Sequence, residues 1–287
     1  MLTPWLELPG ANDQVEQWSK ASGLDLVRLG TTATAEEITD TSITQPLVVA
    51  LTLLAYDELT KRGHLNTKTT VIAGHSVGEI AAYAIAGVIS ADEAITLAAT
   101  RGAEMAKACA LDPTGMSAVL GGDEAEVLER LEALELIPAN RNAVGQIVAA
   151  GRITALEKLA EDPPAKARVR QLATAGAFHT HFMAPAQEAY AAAAAAITPA
   201  EPNVTLLSNF DGSPVTSGAD AMDKLVNQMT SPVRWDLCTE YFKTADVQAV
   251  VELPPSGALS GIAKREMRGV ANHALKTIDD LDGLAEL

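Results

Sequence analysis

A chain of 287 residues, 48% of them hydrophobic, is long enough for one substantial core and a smaller satellite. Its formal charge of −16 excludes the basic face of a nucleic-acid binder and gives no support for an anionic membrane as partner. No apolar run reaches spanning length, no basic-then-apolar leader opens the sequence, and Cys109 and Cys238 fit neither a disulfide framework nor a metal site, so free thiols in a reducing cytosol are expected.

Residues 1–66 read as mainly helical, with a buried helix over 45–63 stopped by Gly63. A short β-branched run at 68–74 passes through a glycine turn into a helix, which is how an α/β layer opens. The stretch 90–110 predicts a second helix, capped by Ser90 and acidic in its first turn. The pattern then changes. A strand at 115–121, a helix at 123–134, a hairpin of 137–143 and 145–151, a further helix and a strand at 167–174 give the order β-α-β-β-α-β. That order predicts a ferredoxin-like unit of about sixty residues. The chain returns to α/β with an alanine-rich helix over 181–197 and candidate strands at 204–208, 247–253 and 271–277.

Gly74-His75-Ser76-Val77-Gly78 falls where the strand becomes the helix. Gly-x-Ser-x-Gly is the nucleophile-elbow pattern. Both glycines are expected to remove Cβ atoms that would collide in a sharp turn, leaving the hydroxyl exposed at the carboxyl edge of the sheet. The helix beginning there offers backbone N–H groups to an oxyanion, that of Val77 first. On the pattern alone a nucleophile and a structural serine are equally supported. A serine nucleophile needs a base, and on residue type His179 and His181 are equal candidates. Arg101, in the middle of the second helix, is either a solvated charge or a planar fork for a carboxylate.

The segment Gly-His-Ser-Val-Gly-Glu-Ile-Ala-Ala-Tyr that starts at Gly74 resembles the active-site segment of malonyl-CoA:acyl-carrier-protein transacylases, and of acyltransferase domains in polyketide and fatty-acid synthases. Glu79, directly after the second glycine, belongs to that pattern. The likeness runs from about residue 45 to residue 268 and takes in the ferredoxin-like insert. It implies an α/β fold with a parallel-sheet, hydrolase-like large domain of residues 1–112 and 179–287, interrupted by a ferredoxin-like small domain of residues 113–178.

The resemblance also implies roles. Ser76 is the nucleophile, and His179, followed by the family's Met-x-Pro-Ala, is its base; His181 falls to surface or packing. Gln228, in Asn-Gln-Met-Thr-Ser-Pro-Val-Arg-Trp, carries the backbone carbonyl that orients the base, with Ser231, Pro232 and Trp235 in register. Arg101, followed by Gly102, grips the free carboxylate of malonate. Phe178 and Val77 fill the volume an α-methyl branch would need. His75 lines the pocket, Asn140 and Asn142 line the cleft between domains, and His64 and His273 are structural.

The implied reaction is ping-pong transfer of a malonyl group from malonyl-CoA to the phosphopantetheine thiol of acyl carrier protein, in fatty-acid or polyketide biosynthesis. It runs through a malonyl-serine intermediate, without metal or bound cofactor, in a cytoplasmic monomer with no nucleic-acid or membrane partner. Carrier proteins are typically acidic, so a local basic patch must steer the encounter. Lys264, Arg265 and Arg268 form one cluster, Arg168 and Arg170 another. The sequence departs from the family in two places. The family opens with a strand and a Gly-Gln-Gly-Ser-Gln-like loop whose glutamine gives a second oxyanion N–H; here Gln14 is in the wrong setting, so Met1 reads as internal to a longer protein, or the chain as a weakly active acyl-binding form. Pro254 stands where the family has glycine. The alternative class is a serine esterase or thioesterase of the α/β-hydrolase kind. That class wants an acid partner for the histidine and predicts neither the insert nor Arg101.

Overall fold

The computed structural model describes residues 1–63 and 69–284; the expectation for His64, and the start of the strand predicted at 68, lie outside them. The first part of the chain is helical: α1 (Ala11–Ser22), α2 (Leu26–Thr31) and α3 (Thr41–Lys61). The third begins before the predicted Gln45, because the Asp40 carboxylate accepts the Ser42 N–H at 2.8 Å and caps it there. Pro46 is thereby taken into the early turns instead of marking the start. Leu47, Val49, Leu51, Leu53, Leu54 and Leu59 are all buried, so α3 is enclosed on most of its circumference.

Strand β1 (Val71–Ile72) leads into α4 (Gly78–Ile85), and α5 (Ala91–Cys109) follows. Ser90 and Glu93 close a capping box at the start of α5: the serine hydroxyl accepts the Glu93 N–H and the carboxylate accepts the Ser90 N–H. Helices α3 and α5 lie in close contact because residue 102 is glycine. A Cβ there would stand 2.6 Å from the Thr41 carbonyl oxygen and 2.9 Å from Ser42 Cα.

The insert then forms: β2 (Thr114–Gly121), α6 (Glu124–Ala133), β3 (Ile137–Ala143), β4 (Gln146–Arg152), α7 (Ile153–Glu161) and β5 (Ala167–Gln171). Its antiparallel sheet has the order β3-β4-β2-β5, the ferredoxin-like arrangement expected from the sequence. Val119, Ile147 and Ala149 point to one face and pack with Val127, Leu131, Leu156 and Leu159 of the two helices. Met116, Val148 and Ala150 point to the other face and pack with Ala177, Phe178 and Phe182. The sheet is therefore covered by its own helices on one side and turned toward residues 177–182 on the other.

The last part contains α8 (Ala184–Ala195), β6 (Thr205–Leu206), α9 (Gly218–Asn227), α10 (Trp235–Thr244), β7 (Ala249–Glu252), α11 (Ala258–Glu266) and β8 (Ala271–Ala274). The parallel strands pair as β1 with β6 and β7 with β8. The fold is α/β, a hydrolase-like large part carrying a ferredoxin-like insert. Among the described residues no helix is long and apolar enough to cross a membrane. The main core joins Trp5, Trp18, Leu47, Ile80, Tyr83, Ile95, Met105 and Tyr190, all buried.

Replacing a mid-helix glycine with alanine normally stabilises by about 1 kcal/mol. At Gly102 the sign should invert, because the added methyl meets backbone on α3. Gly102→Ala is expected to lose about 1–3 kcal/mol, read as a lower denaturant midpoint at unchanged slope.

Candidate active site

After β1 the backbone turns through Gly74, His75 and Ser76 into α4. Ser76 is left-handed, with φ at 54°. A Cβ on Gly74 would sit 2.0 Å from the Gly78 carbonyl oxygen, so glycine is obligatory there. Gly78 differs from expectation: a Cβ on it would meet nothing within 4 Å. It relieves no collision and leaves the space at the start of α4 open. The Val77 N–H makes no hydrogen bond among the described residues.

The Ser76 hydroxyl lies 2.6 Å from His179 Nε2. His179 is 1% exposed and is also left-handed, at φ 59°. Its Nδ1 is 2.9 Å from the Gln228 backbone carbonyl. A carbonyl only accepts, so Nδ1 carries the proton and Nε2 presents its lone pair to the serine. Burial, and then the nearby Arg101 cation, hold His179 down to about 3, far below the ordinary histidine value. The imidazole is therefore neutral and able to take a proton. His181, its rival by residue type, is exposed, its ring 4.3 Å from that of Phe182.

Arg101 is buried to 1% exposure. Its Nη2 donates to Gln228 Oε1 at 2.9 Å and its Nη1 to Gln45 Oε1 at 2.7 Å. The other end of the Gln228 carboxamide, Nε2, donates to the Ser76 carbonyl at 3.0 Å and also to Glu79. One side chain thus separates the guanidinium from the peptide of the serine. Glu79 is fully buried; desolvation pushes it up to about 7 against the hydrogen bonds it accepts. Asn209, also fully buried, accepts the Ser76 N–H at 2.8 Å and donates to the Gly74 carbonyl at 2.6 Å.

Around this centre, His75 Nε2 is 2.8 Å from Asn142 Oδ1, which ties the insert to the nucleophile turn, and the His75 ring lies 5.6 Å from that of Trp235. Asn142 therefore reaches the site. Asn140 pairs through its backbone with Val233, and its buried Oδ1 makes no hydrogen bond. Phe178, half-buried, packs against both the main core and the sheet face of the insert. His273 sits on β8 opposite Val251. Gln14 lines a cavity of about 120 Å³ with Leu54, Asp57 and Lys61. Sequence reasoning missed Gln45 and Asn209. The one signal for Asn209 was its place directly after a predicted strand, at the carboxyl edge where sites form in α/β sheets; nothing local marked Gln45.

The arrangement can run acyl transfer at a serine: an activated hydroxyl, a neutral base, a free N–H at a helix start and a buried cationic fork. The base is oriented by a peptide carbonyl, whereas the esterase class wants a carboxylate.

The acyl transferase domain family matches residues 11–278. The chain is 71% identical over 291 aligned residues to a malonyl CoA-acyl carrier protein transacylase of Mycolicibacterium smegmatis, covering 100% of both. It is 70% identical to a protein of the same name from Mycobacterium tuberculosis, covering 100% of this chain and 95% of that one. The crystal structure of MCAT from Mycobacterium tuberculosis superposes with a TM-score of 0.97 at 70% identity, over 99% of this chain and 94% of that one. A type II PKS acyl-carrier protein in complex with its malonyl-transacylase matches with a TM-score of 0.93 at 27% identity, over 100% and 94%. The chain belongs to the acyl transferase family, among the malonyl CoA-acyl carrier protein transacylases.

Proposed function

We propose that the protein moves a malonyl group from malonyl-CoA to the phosphopantetheine thiol of acyl carrier protein, with Ser76 as nucleophile, His179 as base and Arg101 as carboxylate clamp, in fatty-acid or polyketide synthesis. The observation that carries this reading is the single carboxamide of Gln228, 2.9 Å from Arg101 Nη2 at one end and 3.0 Å from the Ser76 carbonyl at the other. A fork for a distal carboxylate is thereby linked through one carboxamide to the peptide that carries the attacking hydroxyl.

The chemistry follows from the contacts. The Ser76 Oγ–H gives its proton to His179 Nε2 as Oγ bonds to the thioester carbon. The oxyanion that forms takes the free Val77 N–H. Collapse breaks the C–S bond, and coenzyme A leaves as the thiol with the proton from His179. The carrier thiol then gives its proton to the same nitrogen and attacks the malonyl-serine, restoring Ser76. Arg101 has five N–H groups and two are engaged by Gln45 and Gln228, so three remain for malonate. Phe178 and Val77 narrow the space beside the α-carbon, a discrimination of about 1–3 kcal/mol per methyl.

The reading divides the chain into a large domain of residues 1–112 and 179–287 and a small one of residues 113–178, with the cleft between them, and takes the protein as a cytoplasmic monomer. Carrier protein docks on the small sheet beside α11. Arg168 pairs with Leu120 across β5 and β2, Leu120 pairs with Gln146 across β2 and β4, and Gln146 accepts a hydrogen bond from Arg265. The two basic clusters of the sequence so meet along one row, and no carboxylate of the described residues lies within 4.0 Å of Arg168, Arg170, Lys264, Arg265 or Arg268.

Incubation with malonyl-CoA is expected to add one malonyl mass to the intact protein and none to Ser76→Ala; no adduct on the parent chain contradicts the reading. Arg101→Ala should lower kcat/KM for malonyl-CoA by about 10²-fold or more while acetyl-CoA gains relative to it, since hydrogen bonds to charge are worth about 1.5–3 kcal/mol each.

The pH profile of malonyl loading tests the base. A histidine held at about 3 stays neutral as pH falls through 6.5, so kcat/KM should keep its plateau there. An acid limb centred at the ordinary value contradicts the assignment. The same shift makes the unfolded chain bind a proton that the folded state refuses. The contribution of His179 to stability is therefore complete above 6.5 and declines as pH falls toward 3.

Reversing Arg168 with Arg170, or Lys264 with Arg265 and Arg268, should raise KM for carrier protein about tenfold without changing loading from malonyl-CoA. An unchanged KM in both variants places the dock elsewhere.

A further inference from the structure

Ser76 must be held in a backbone conformation that a residue with a Cβ enters only at a cost of about 1–3 kcal/mol. Strand β1 cannot do this, because it ends at Ile72. Resting on the reading of Ser76 as nucleophile, we propose that Asn209, itself fixed by Glu79, is a positioning residue: its carboxamide holds the left-handed turn at Ser76 and, with Gln228, aims the Val77 N–H.

Four observations support this. First, the Asn209 carboxamide spans the turn, with Oδ1 taking the Ser76 N–H at 2.8 Å and Nδ2 reaching the Gly74 carbonyl at 2.6 Å. Its orientation is forced, since an N–H only donates and a carbonyl only accepts. It acts as a piece of sheet edge beyond the end of the strand. Second, Asn209 is pinned at both of its own backbone ends. Its N–H donates to Glu79 at 2.7 Å, and its carbonyl accepts the Arg234 N–H at 2.8 Å. Glu79 accepts from Gln228 Nε2 as well, so one carboxylate sets both amides.

Third, the Ser76 carbonyl accepts two donors, Gln228 Nε2 at 3.0 Å and the Glu79 N–H at 3.0 Å. That carbonyl and the Val77 N–H belong to one planar peptide. Fixing the oxygen fixes the direction of the N–H, and donors on the oxygen polarise it. Fourth, with the Ser76 N–H occupied by Asn209, the next N–H along the turn, that of Val77, makes no hydrogen bond among the described residues. An alanine at 209 would leave the Ser76 N–H and the buried Gly74 carbonyl unsatisfied, and the turn would relax away from the attacking geometry.

The test uses the full chain with Asn209→Ala and Asn209→Asp. The aspartate keeps the acceptor for Ser76 and loses the donor to Gly74. Malonylation of Ser76 is followed by rapid quench and intact mass, with kcat normalised to the number of sites that can be malonylated. Asn209→Ala is expected to lower kcat per site by about 10²-fold with KM for malonyl-CoA within about threefold, because Gln228 loses only a long contact of 3.4 Å to Asn209 and both glutamines keep their bonds to Arg101. Asn209→Asp should fall between. The rate of Ser76 labelling by a fluorophosphonate should drop in parallel. A merely structural asparagine would reduce the number of active sites and leave kcat per site unchanged, and that result overturns the proposal; so do kcat and KM moving together. If Asn209→Ala does not fold, Asn209→Asp is judged by the same criteria. Fluorophosphonate labelling needs no acyl donor, so it still decides the role of Asn209 should malonyl-CoA prove not to load Ser76.

Discussion

The site depends on one buried carboxamide whose donors and acceptor must all be satisfied. Gln228 gives its Oε1 to Arg101, its Nε2 to the Ser76 carbonyl and Glu79, and its backbone carbonyl to His179. A buried amide left unpaired costs about 1–3 kcal/mol per group, so no single one of these contacts can be given up cheaply. The Ser76 turn, the His179 ring and the Arg101 cation are therefore placed relative to one another by Gln228. Asn209 does the same for the turn itself, and Glu79 locks the two amides together.

The insert and the large part serve this hub from opposite sides. Helix α3 approaches α5 at Gly102, one residue after Arg101, and this close contact brings Gln45 to the guanidinium. The hairpin of β3 and β4 supplies Asn142 to His75. The sheet face opposite the insert's helices packs Met116, Val148 and Ala150 against Phe178, the residue before the base. Each contact crosses between elements that are far apart in the chain, so the site exists only once the whole fold has closed.

The same distance decides what could be read from the sequence. The nucleophile turn was legible because glycine, serine and the start of a helix are local, and the insert because alternation and turn residues mark short strands well. The family pattern marked Arg101 and His179 for attention, and the structure brings both to Gln228. Gln45 lies 56 residues from the arginine it binds, and nothing local announced it; Asn209 lies 133 residues from the serine, and only its place after a predicted strand marked it. Helices α9, α10 and α11 escaped because each is a short segment, too brief for the helical period to stand out. The parallel strands expected around 70 and 206 were predicted too long: only Val71–Ile72 and Thr205–Leu206 pair, although Leu207 and Ser208 beyond them are also buried. At Gly78 the pattern was right and the reason differed, since open space and not a collision explains the missing side chain.

Burial is the main cause of the weak basicity of His179, and the Arg101 cation is the next. A bound dicarboxylic acyl group would cancel that second contribution by placing its own negative end on the guanidinium. The cargo would then strengthen the imidazole that activates the hydroxyl it is about to meet. An acyl chain lacking the far carboxylate would leave the cation uncompensated and the imidazole as weakly basic as before, so selectivity would be written into reactivity as well as fit.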